Sequence, residues 1–566
     1  MENSKITGAE AMLISLQKEG VDTIFGYPGG TIMPLYDKLF DYQQQIRHIL
    51  VRHEQGAVHA AQGYSRATGK PGVCFATAGP GATNLVTGIA DAMMDSTPLV
   101  CITAQVGYDK LGSNFFQEAD TISITIPLTK WSYQITSASE ITTIMSKAFY
   151  IARSGRPGPV LISFTKNAQT ELTRFSYTPY KPQQIKGKML PEIPSVSISE
   201  AVNMINNSLM PLIISGQGVL ISGASDKCME LSQKGNIPII TTLLGISSVP
   251  TNYILHGGFA GMHGSLTANH MIQKSDLLIA IGMRFSDRFT GEIPGFAPNA
   301  KIIHIDIDKA EFDKCVKCDL KLHGDALQTI KLIMPGIKYR KREEWIRYMN
   351  QVKIEDRDMI ESMYLKEKKS GSISMAKVVE SVAEWCCNDS IIVTDVGQNQ
   401  MFAARFSKFS NPRNFITSGG LGTMGFGLPA AIGAICGKKE KDVIIFTGDG
   451  GFQMSIHELG TIMKYNLPVK IVVLNNSFLG MVRQWQELFF EKRYSFTEMD
   501  NPDFSKIAQA YGILSYKIMN FNDLESKIKE MISHKGPILL EIDVTKEENI
   551  FPMVPAGKSL DELITQ

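Results

Sequence analysis

Polar residues follow two apolar segments near the C-terminal end of the chain, and their side chains suit cation binding. Asp449 comes shortly after the segment 443–446, and Asn475 and Asn476 directly follow the segment 469–474. Both segments are typical of buried parallel strands, and ligands of open α/β sheets bind at the carboxyl ends of such strands. Carboxylate and amide oxygens suit Mg²⁺, which usually adds phosphate and water to its coordination shell. The pattern therefore predicts a magnesium site beside phosphate groups, although each turn alone also fits an ordinary strand end.

Glu54, in the N-terminal part of the chain, has two possible interpretations. Glu54 follows the short apolar segment 49–51 and begins a helical pattern that continues to Thr68. A glutamate in this place can simply favour the start of a helix through the helix dipole, or it can handle a proton in a binding site. Glycine-rich segments at 26–30 and 79–81 lie on either side in the sequence and would let the backbone approach a ligand closely.

Length and composition indicate a folded enzyme of several domains. The chain has 566 residues, which favours about three to four domains. It is 44% hydrophobic and 20% charged with a net charge of +1, unlike a nucleic-acid-binding protein. No apolar segment approaches the roughly 20 residues that span a membrane, and the first residues show no signal or transit pattern. The eight cysteines form no disulfide framework. We therefore expect a cytoplasmic protein without nucleic-acid or membrane partners.

Apolar segments alternate with helical patterns almost throughout the chain, which predicts an α/β fold with parallel sheets. Strands are predicted at 23–26, 73–77, 99–102, 160–163, 211–214, 277–281, 302–306, 443–446 and 469–474. A proline-rich stretch and a charged helical stretch separate three blocks, so we expect three doubly wound domains at residues 1–185, 190–345 and 370–566.

Three segments resemble thiamine diphosphate (ThDP) enzymes, namely RHEQGA at 52–57, AGPGATN at 78–84 and the GDG…NN pattern of 448–476. The resemblance implies that Glu54 bonds the aminopyrimidine ring of ThDP and promotes removal of a proton from the reactive carbon of the cofactor. The implied domains bind the pyrimidine ring, FAD and the diphosphate, in that order along the chain. The implied Mg²⁺ ligands are Asp449, Asn476 and the Phe478 carbonyl group, and the implied ThDP contacts are Gly29, Gly30, Glu54, Val396, Gly397, Gln398, Gly422, Met424, Gly450 and Gly451.

Nearly the whole chain is similar to the catalytic subunit of the acetolactate synthase (acetohydroxyacid synthase) family. Four segments carry this resemblance: FFQEAD at 115–120, GMRFSDRFTG at 282–291, GGLGTMGFG at 419–427 and MVRQWQ at 481–486. It implies catalytic roles for Glu54, Gln117 and Lys166, and substrate contacts for Phe116, Arg288, Met481 and Trp485. The implied FAD contacts are Arg156, Gly257, Gly258, Met262, His263, Arg284, Asp306 and Asp325. Three parts of the sequence depart from the family pattern: Ser286 replaces an aspartate of the FAD motif, Asn399 replaces a histidine near the diphosphate, and Ser163, Thr165 and Asn167 replace residues of a DxPKD-like segment.

The resemblance implies a reaction that joins two 2-ketoacids. Pyruvate loses carbon dioxide on ThDP, and its two-carbon unit passes to a second pyruvate, giving 2-acetolactate, or to 2-ketobutyrate, giving 2-aceto-2-hydroxybutyrate. These products lead to branched-chain amino acids. FAD has no net redox step to perform, so a structural role is implied for it. A homodimer or dimer of dimers and a regulatory small subunit are also implied. The alternatives are a flavin-dependent ThDP oxidase, such as pyruvate oxidase, and a non-catalytic cofactor-binding protein.

Overall fold

Three six-stranded sheets of parallel strands form the framework of the chain. The computed structural model describes residues 5–182, 192–368 and 372–565. Alternate residues of the central strands belong to different apolar clusters, so both faces of each sheet are buried. Ile24, for example, packs on one side of the N-terminal sheet and Phe25 on the other. The predicted α/β fold with three parallel-sheet domains is confirmed.

In the N-terminal domain, the strands are β1 (Lys5–Thr7), β2 (Thr23–Gly26), β3 (Arg47–Leu50), β4 (Gly72–Ala76), β5 (Leu99–Gln105), β6 (Trp131–Ile135), β7 (Pro159–Thr165) and β8 (Leu172–Arg174). The helices are α1 (Gly8–Lys18), α2 (Met33–Asp41), α3 (Glu54–Thr68), α4 (Pro80–Thr83), α5 (Val86–Met94), α6 (Thr121–Thr125), α7 (Ile141–Arg153) and α8 (Lys166–Thr170). The sheet order is β3-β2-β4-β5-β7-β6, and β1 pairs with β8 in a separate antiparallel ribbon.

In the middle domain, the strands are β9 (Pro211–Ser215), β10 (Ile239–Thr241), β11 (His256–Phe259), β12 (Leu277–Ile281), β13 (Lys301–Asp306) and β14 (Leu320–His323). The helices are α9 (Ser195–Asn207), α10 (Gln217–Ile221), α11 (Ser225–Gly235), α12 (Leu266–Lys274), α13 (Asp287–Thr290) and α14 (Ala326–Ile333), followed by the long α15 (Glu343–Lys368). The sheet order is β11-β10-β9-β12-β13-β14. This is the strand order of dinucleotide-binding domains, in which ligands bind where the order reverses.

In the C-terminal domain, the strands are β15 (Ile391–Thr394), β16 (Phe415–Ile416), β17 (Val443–Gly448), β18 (Val469–Asn475), β19 (Leu514–Ile518) and β20 (Ile538–Asp543). The helices are α16 (Met375–Trp385), α17 (Gln398–Phe406), α18 (Gly427–Gly437), α19 (Asp449–Ser455), α20 (Leu459–Tyr465), α21 (Gly480–Phe489), α22 (Phe504–Ala510) and α23 (Phe521–Ser533). The sheet order is β16-β15-β17-β18-β20-β19. It therefore repeats the order of the N-terminal sheet, which the sequence does not reveal as a repeat.

The predicted domain boundaries at residues 185, 190 and 370 lie outside the described residues, and residue 345 lies within α15. The described helices include none that is long and apolar enough to cross a membrane. The end of the chain returns to the middle domain, where Val554 and Leu560 are buried in one cluster with Phe285. The Val554 N–H group donates to the Met262 carbonyl oxygen at 2.8 Å.

Helix α3 of the N-terminal domain and helix α18 of the C-terminal domain cross at very short distance. A Cβ atom on Gly63 would lie 2.0 Å from the carbonyl oxygen of Ala430, and one on Gly433 would lie 1.8 Å from that of Ala60. Both helices connect the second and third strands of their sheets, and each carries an Ala-Ala-x-Gly segment that ends at its glycine. The contact is therefore nearly symmetric, and backbone meets backbone without an intervening side chain.

We expect the substitution Gly433→Ala to destabilise the protein by about 1–3 kcal/mol or more, because the added methyl group must push the two helices apart. The measurement is the free energy of unfolding from chemical denaturation. Gly107→Ala is the matched control, since Gly107 has a φ of −60° and its added Cβ would approach only the end of the Asp109 side chain, at 3.0 Å. Equal stabilities of the two variants would contradict the close crossing.

Candidate cofactor and active site

The predicted cation ligands lie at the carboxyl ends of two neighbouring strands. Strand β17 ends at Gly448 and pairs with β18, and Asp449 opens helix α19. The Asp449 carboxylate is buried, and burial raises its pKa to about 6. Its Oδ2 atom accepts a hydrogen bond from the Asn501 amide at 2.7 Å. Because a neutral amide leaves the negative charge uncompensated, this buried carboxylate suits a bound cation.

The two consecutive asparagines have different surroundings. The Asn475 side chain donates to Glu541 at 3.0 Å and accepts from the Asn501 amide at 2.9 Å, so it belongs to the interior of the sheet. Asn476 instead lines a cavity of 50 Å³ together with Asp449 and Phe478. The residue type and position of Asn476 therefore fit the predicted metal ligand.

This C-terminal cavity contains most of the residues predicted to contact the diphosphate. They are Val396, Gly397, Gln398, Met424, Gly450 and Gly451, and Met481 lines the same cavity. Added Cβ atoms would lie 2.6 Å from Leu479 at Gly450 and 2.3 Å from the Asp395 carboxylate at Gly451. These two glycines thus let the start of α19 pack closely against Leu479 and Asp395, where any larger residue would clash. Gly422 lies outside this lining, on the exposed tip of the neighbouring loop.

Sequence reasoning assigned no role to Asn501, and it named Asp395 only as part of the segment that resembles the family's diphosphate contacts. Asp395 is completely buried, and its carboxylate accepts hydrogen bonds from the backbone N–H groups of Val396, Gly425 and Gly427 at 2.8 to 3.0 Å. A charged residue directly after the apolar strand β15 was the available signal. Asn501 lies in a loop far along the chain from Asp449, and its sequence context gave no signal.

Asn399, which departs from the family pattern, bonds to the protein itself. Its amide nitrogen donates to the carbonyl oxygens of Asp395 at 2.9 Å and Phe446 at 3.1 Å. Both N–H groups of the amide are used in this way, so the side chain links the carboxyl ends of β15 and β17.

Glu54 lies in the N-terminal domain, at the first position of α3. The preceding His53 caps this helix, because its Nδ1 atom accepts a hydrogen bond from the Gln55 N–H group at 3.1 Å. The Oε2 atom of Glu54 accepts a hydrogen bond from the Asn84 amide at 2.9 Å, and Oε1 lies beside Gly81. Glu54 does not line the C-terminal cavity of the described chain.

The other predicted residues of the N-terminal domain surround the same edge of its sheet. Gly29 and Gly30 follow β2, and Lys166 is exposed at the start of α8 after β7. Phe116 is 82% exposed, so it is free to contact a ligand or a second chain. Gln117 has a φ of +64°, an unusual backbone conformation for a residue other than glycine. Such strain is typical of functional loops.

A second cavity, of 310 Å³, lies at the carboxyl ends of β9, β12 and β13 in the middle domain. The residues predicted to bind FAD that line it are Arg156, Arg284, Asp306 and Asp325, and Arg288 and Ser286 line it as well. Burial raises the pKa of Asp306 to about 6. Arg156 forms ion pairs with Asp308 at 3.3 Å and Glu311 at 2.9 Å. The cavity occupies the position where the strand order reverses, as expected for a nucleotide site.

The remaining predicted flavin residues lie apart from this nucleotide cavity. Gly257 and Gly258 line a different cavity, of 520 Å³, between the middle and C-terminal domains. Met262 lines a fourth cavity, of 240 Å³, together with Arg288. His263 is buried nearby. Its pKa is lowered to about 3, mainly by burial and to a smaller extent by the charge of Arg288. Neutral His263 can therefore offer a hydrogen bond.

Two of the predicted substrate contacts, Arg288 and Trp485, meet at the border of the middle and C-terminal domains. The Arg288 guanidinium lies over the Trp485 ring, 5.5 Å from the ring centre. The Phe489 ring packs against Trp485, with the two ring centres 5.2 Å apart. An arginine held by an aromatic ring, with its side chain 62% exposed, is suited to a small carboxylate.

Comparisons with known proteins agree with this geometry. Three family descriptions match the chain: thiamine pyrophosphate enzyme, N-terminal TPP binding domain at residues 6–124; central domain at 198–333; and C-terminal TPP binding domain at 395–542. Thiamine pyrophosphate is another name for ThDP. The first and third matches contain Glu54 and Asp449 respectively.

Curated relatives align with the chain from end to end. The acetolactate synthase large subunit of Porphyra purpurea is 44% identical, with 99% of this chain and 96% of the relative covered. That of Lactococcus lactis subsp. lactis (strain IL1403) is 42% identical with the same coverage. The isozyme 2 large subunit of Escherichia coli (strain K12) is 41% identical, with 99% of both chains covered. The chain belongs to the acetolactate synthase large-subunit family.

Membership of the acetolactate synthase family confirms the resemblance drawn from the sequence, and the chain is a ThDP-dependent enzyme. The roles of individual residues stay predictions. Within the described residues, the C-terminal cavity with Asp449 and Asn476 and the nucleotide cavity with Arg284 and Asp306 are two places that could hold cofactors.

We expect Asn501→Ala to weaken Mg²⁺ binding by about 10- to 100-fold, because residues that orient a metal ligand typically contribute this much. The measurement is a calorimetric titration of the protein with Mg²⁺ at saturating ThDP. Asn411→Ala is the control, since Asn411 also donates to an aspartate, Asp389, at 2.7 Å, but on the exposed surface. Unchanged Mg²⁺ affinity in Asn501→Ala would show that this amide does not orient Asp449.

Proposed function

We propose that the protein catalyses the acetolactate synthase reaction, in which pyruvate is decarboxylated and its two-carbon unit is joined to a second pyruvate or to 2-ketobutyrate. The observation that carries the proposal is the pair Asp449 and Asn476 at adjacent strand ends, within a chain that aligns with acetolactate synthase large subunits over 99% of its length. The proposed role is the synthesis of branched-chain amino-acid precursors. The expected cytoplasmic location stays a prediction.

The C-terminal cavity fits the diphosphate and its metal. Asp449, Asn476 and the Phe478 carbonyl group would supply hard oxygen ligands to Mg²⁺, and Gly450 and Gly451 line the same cavity. When bound, ThDP supplies the carbon nucleophile and accepts the electrons released by decarboxylation. Residues Val396 to Gln398 would contact the phosphates, and Met424 and Gly422 the rest of the cofactor.

The proposed proton-handling group is Glu54. Its carboxylate has one oxygen bonded to Asn84 and the other beside glycine, so one oxygen is free to bond the aminopyrimidine ring and exchange a proton with it. Gln117 and Lys166, on the same sheet edge, would position the substrate. Arg288 would hold the carboxylate of the second 2-ketoacid by charge, and Trp485 would limit the size of its alkyl group.

The nucleotide cavity is the proposed FAD site. Its support is the dinucleotide-type strand order and the combination of Arg284 and Arg156, which suit phosphate, with Asp306, which suits a ribose hydroxyl group. Ser286 lines the cavity where the family usually has an aspartate. Since a hydroxyl group can still accept a hydrogen bond but carries no charge, we propose that it is compatible with FAD.

We propose that the smallest active assembly is a homodimer. The C-terminal cavity of the described chain is lined only by residues between Met375 and Val482, so Glu54 of the same chain does not reach it. A second copy would bring its own Glu54 to this cavity. A dimer of dimers and a regulatory small subunit remain part of the proposal, and the relatives named large subunits support the latter.

We expect the purified protein to convert pyruvate to 2-acetolactate in the presence of ThDP, Mg²⁺ and FAD. Acetoin formed after acid treatment is the measurement, and a competition between pyruvate and 2-ketobutyrate gives the acceptor preference. Peroxide with acetate would overturn the proposal in favour of a flavin-dependent oxidase. Absence of any product in the presence of all cofactors would favour a non-catalytic protein.

A complementation experiment tests whether each active site combines Glu54 of one chain with Asp449 of a second copy. Glu54→Gln and Asp449→Asn should each abolish activity in a homodimer. In a mixed dimer, one site would carry both substitutions and the other neither, so random mixing should restore about a quarter of wild-type activity. If Glu54 and Asp449 of one chain served the same site, both sites of a mixed dimer would be damaged and no activity would return.

A further inference from the structure

A glycine-rich loop separates the two candidate cofactor cavities. It comprises residues 418–426, between β16 and α18. Gly419 and Gly420 line the nucleotide cavity, whereas Met424 lines the C-terminal cavity. The tip of the loop, Leu421 and Gly422, is exposed, and Gly422 has a φ of +69°. The conformation of this one loop therefore affects the lining of both cavities.

The N-terminal domain holds the first half of this loop through Asp95, which follows α5. The Asp95 carboxylate is completely buried. It accepts hydrogen bonds from the backbone N–H groups of Gly419 at 3.0 Å and Gly420 at 2.6 Å. The Arg66 guanidinium donates to the same carboxylate at 3.1 Å and also to the Thr417 carbonyl oxygen at 2.5 Å. Three charge-assisted hydrogen bonds thus meet on one side chain.

Asp91, one helical turn earlier, holds the base of the loop. Its Oδ1 atom accepts hydrogen bonds from the hydroxyl groups of Ser418 and Thr423, the latter at 2.9 Å. The Ser418 hydroxyl group in turn accepts from the Thr423 N–H group at 2.8 Å. The two ends of the segment 418–423 are therefore joined through a single buried carboxyl group of another domain.

We propose that Asp95, assisted by Asp91, is a positioning residue that fixes loop 418–426 in the conformation that both cofactors require. The identity of the two ligands, ThDP and FAD, rests on the function proposed above. The physical reason is that glycine-rich backbone loses much conformational entropy when it is ordered. Backbone N–H groups bonded to a buried carboxylate offset this loss before the cofactors bind. Burial raises the pKa of Asp95, the charge of Arg66 and the two backbone hydrogen bonds oppose this rise, and the neighbouring Asp91 adds to it.

The test is the substitution Asp95→Asn, which keeps the size of the side chain but removes its charge and replaces one acceptor oxygen with a donor. We expect the dissociation constants of ThDP and FAD to rise together, each by about 10- to 100-fold. At saturating cofactors, kcat should change much less than the two apparent affinities. ThDP binding is measured by calorimetry with Mg²⁺ present, and FAD retention by visible absorbance after desalting.

Two further variants keep the test decisive. Ser418→Ala removes the hydroxyl group that links Asp91 to the Thr423 N–H group. It should raise the dissociation constants of both cofactors, as Asp95→Asn should. This variant tests the proposal even if Asp95→Asn does not fold. Asp41→Asn is the control, because Asp41 is an exposed acid of the same domain, with its side chain 58% exposed, and pairs with Lys38 at the surface. It should leave both affinities unchanged.

Cofactor affinities that stay at wild-type values in folded Asp95→Asn and Ser418→Ala would overturn the inference. A change for one cofactor alone would also overturn it, since the loop would then serve a single cavity. Product formation by the wild-type protein is measured in parallel. If the wild-type protein binds both cofactors but makes no 2-acetolactate, the proposed reaction fails while the positioning role is still tested by binding.

Discussion

The crossing of α3 and α18 is the contact on which the candidate site depends. Helix α3 begins at Glu54, and α18 begins at Gly427, directly after the loop that lines both cavities. Because backbone lies against backbone at Gly63 and Gly433, neither helix can shift without a clash or a void, and protein interiors tolerate neither well. One contact between small residues therefore sets the positions of two functional segments that belong to different domains.

The shared topology of the outer domains explains why this contact is nearly symmetric. In both sheets, the first and third strands are neighbours, and glycine-rich turns follow them: Gly29 after β2 and Gly79 after β4, Gly397 after β15 and Gly448 at the end of β17. Ligands bind at such points of reversal in open sheets. Each domain thus offers a ligand-binding edge, and the crossing helices emerge beside these edges.

Much of this arrangement could be predicted because buried parallel strands are continuous apolar segments. Asp449 and Asn476 follow such segments, so their position at one edge could be deduced before the structure was known. Asp91, Asp95 and Asn501 could not be found in this way, because their partners lie on other domains or in distant loops. Asp91 is the one aspartate of the largely apolar helix α5, but its sequence context alone does not indicate which loop it contacts. The shared order of the two outer sheets also escaped prediction, since Ala-Ala-x-Gly is too short to reveal a repeat.

Buried carboxylates and glycine-rich backbone are physically coupled in this chain. Glycine lets the loop approach ligands closely but leaves it without side chains that could anchor it. Aspartates then serve as anchors, because a carboxylate accepts several backbone N–H groups at once. Asp95 does so at the beginning of the loop and Asp395 at its end, where it bonds Gly425 and Gly427. The desolvation of these charges is costly, and the hydrogen bonds recover that cost only when the loop has one shape. The buried aspartates therefore hold the glycine-rich loop between the two cavities in one conformation.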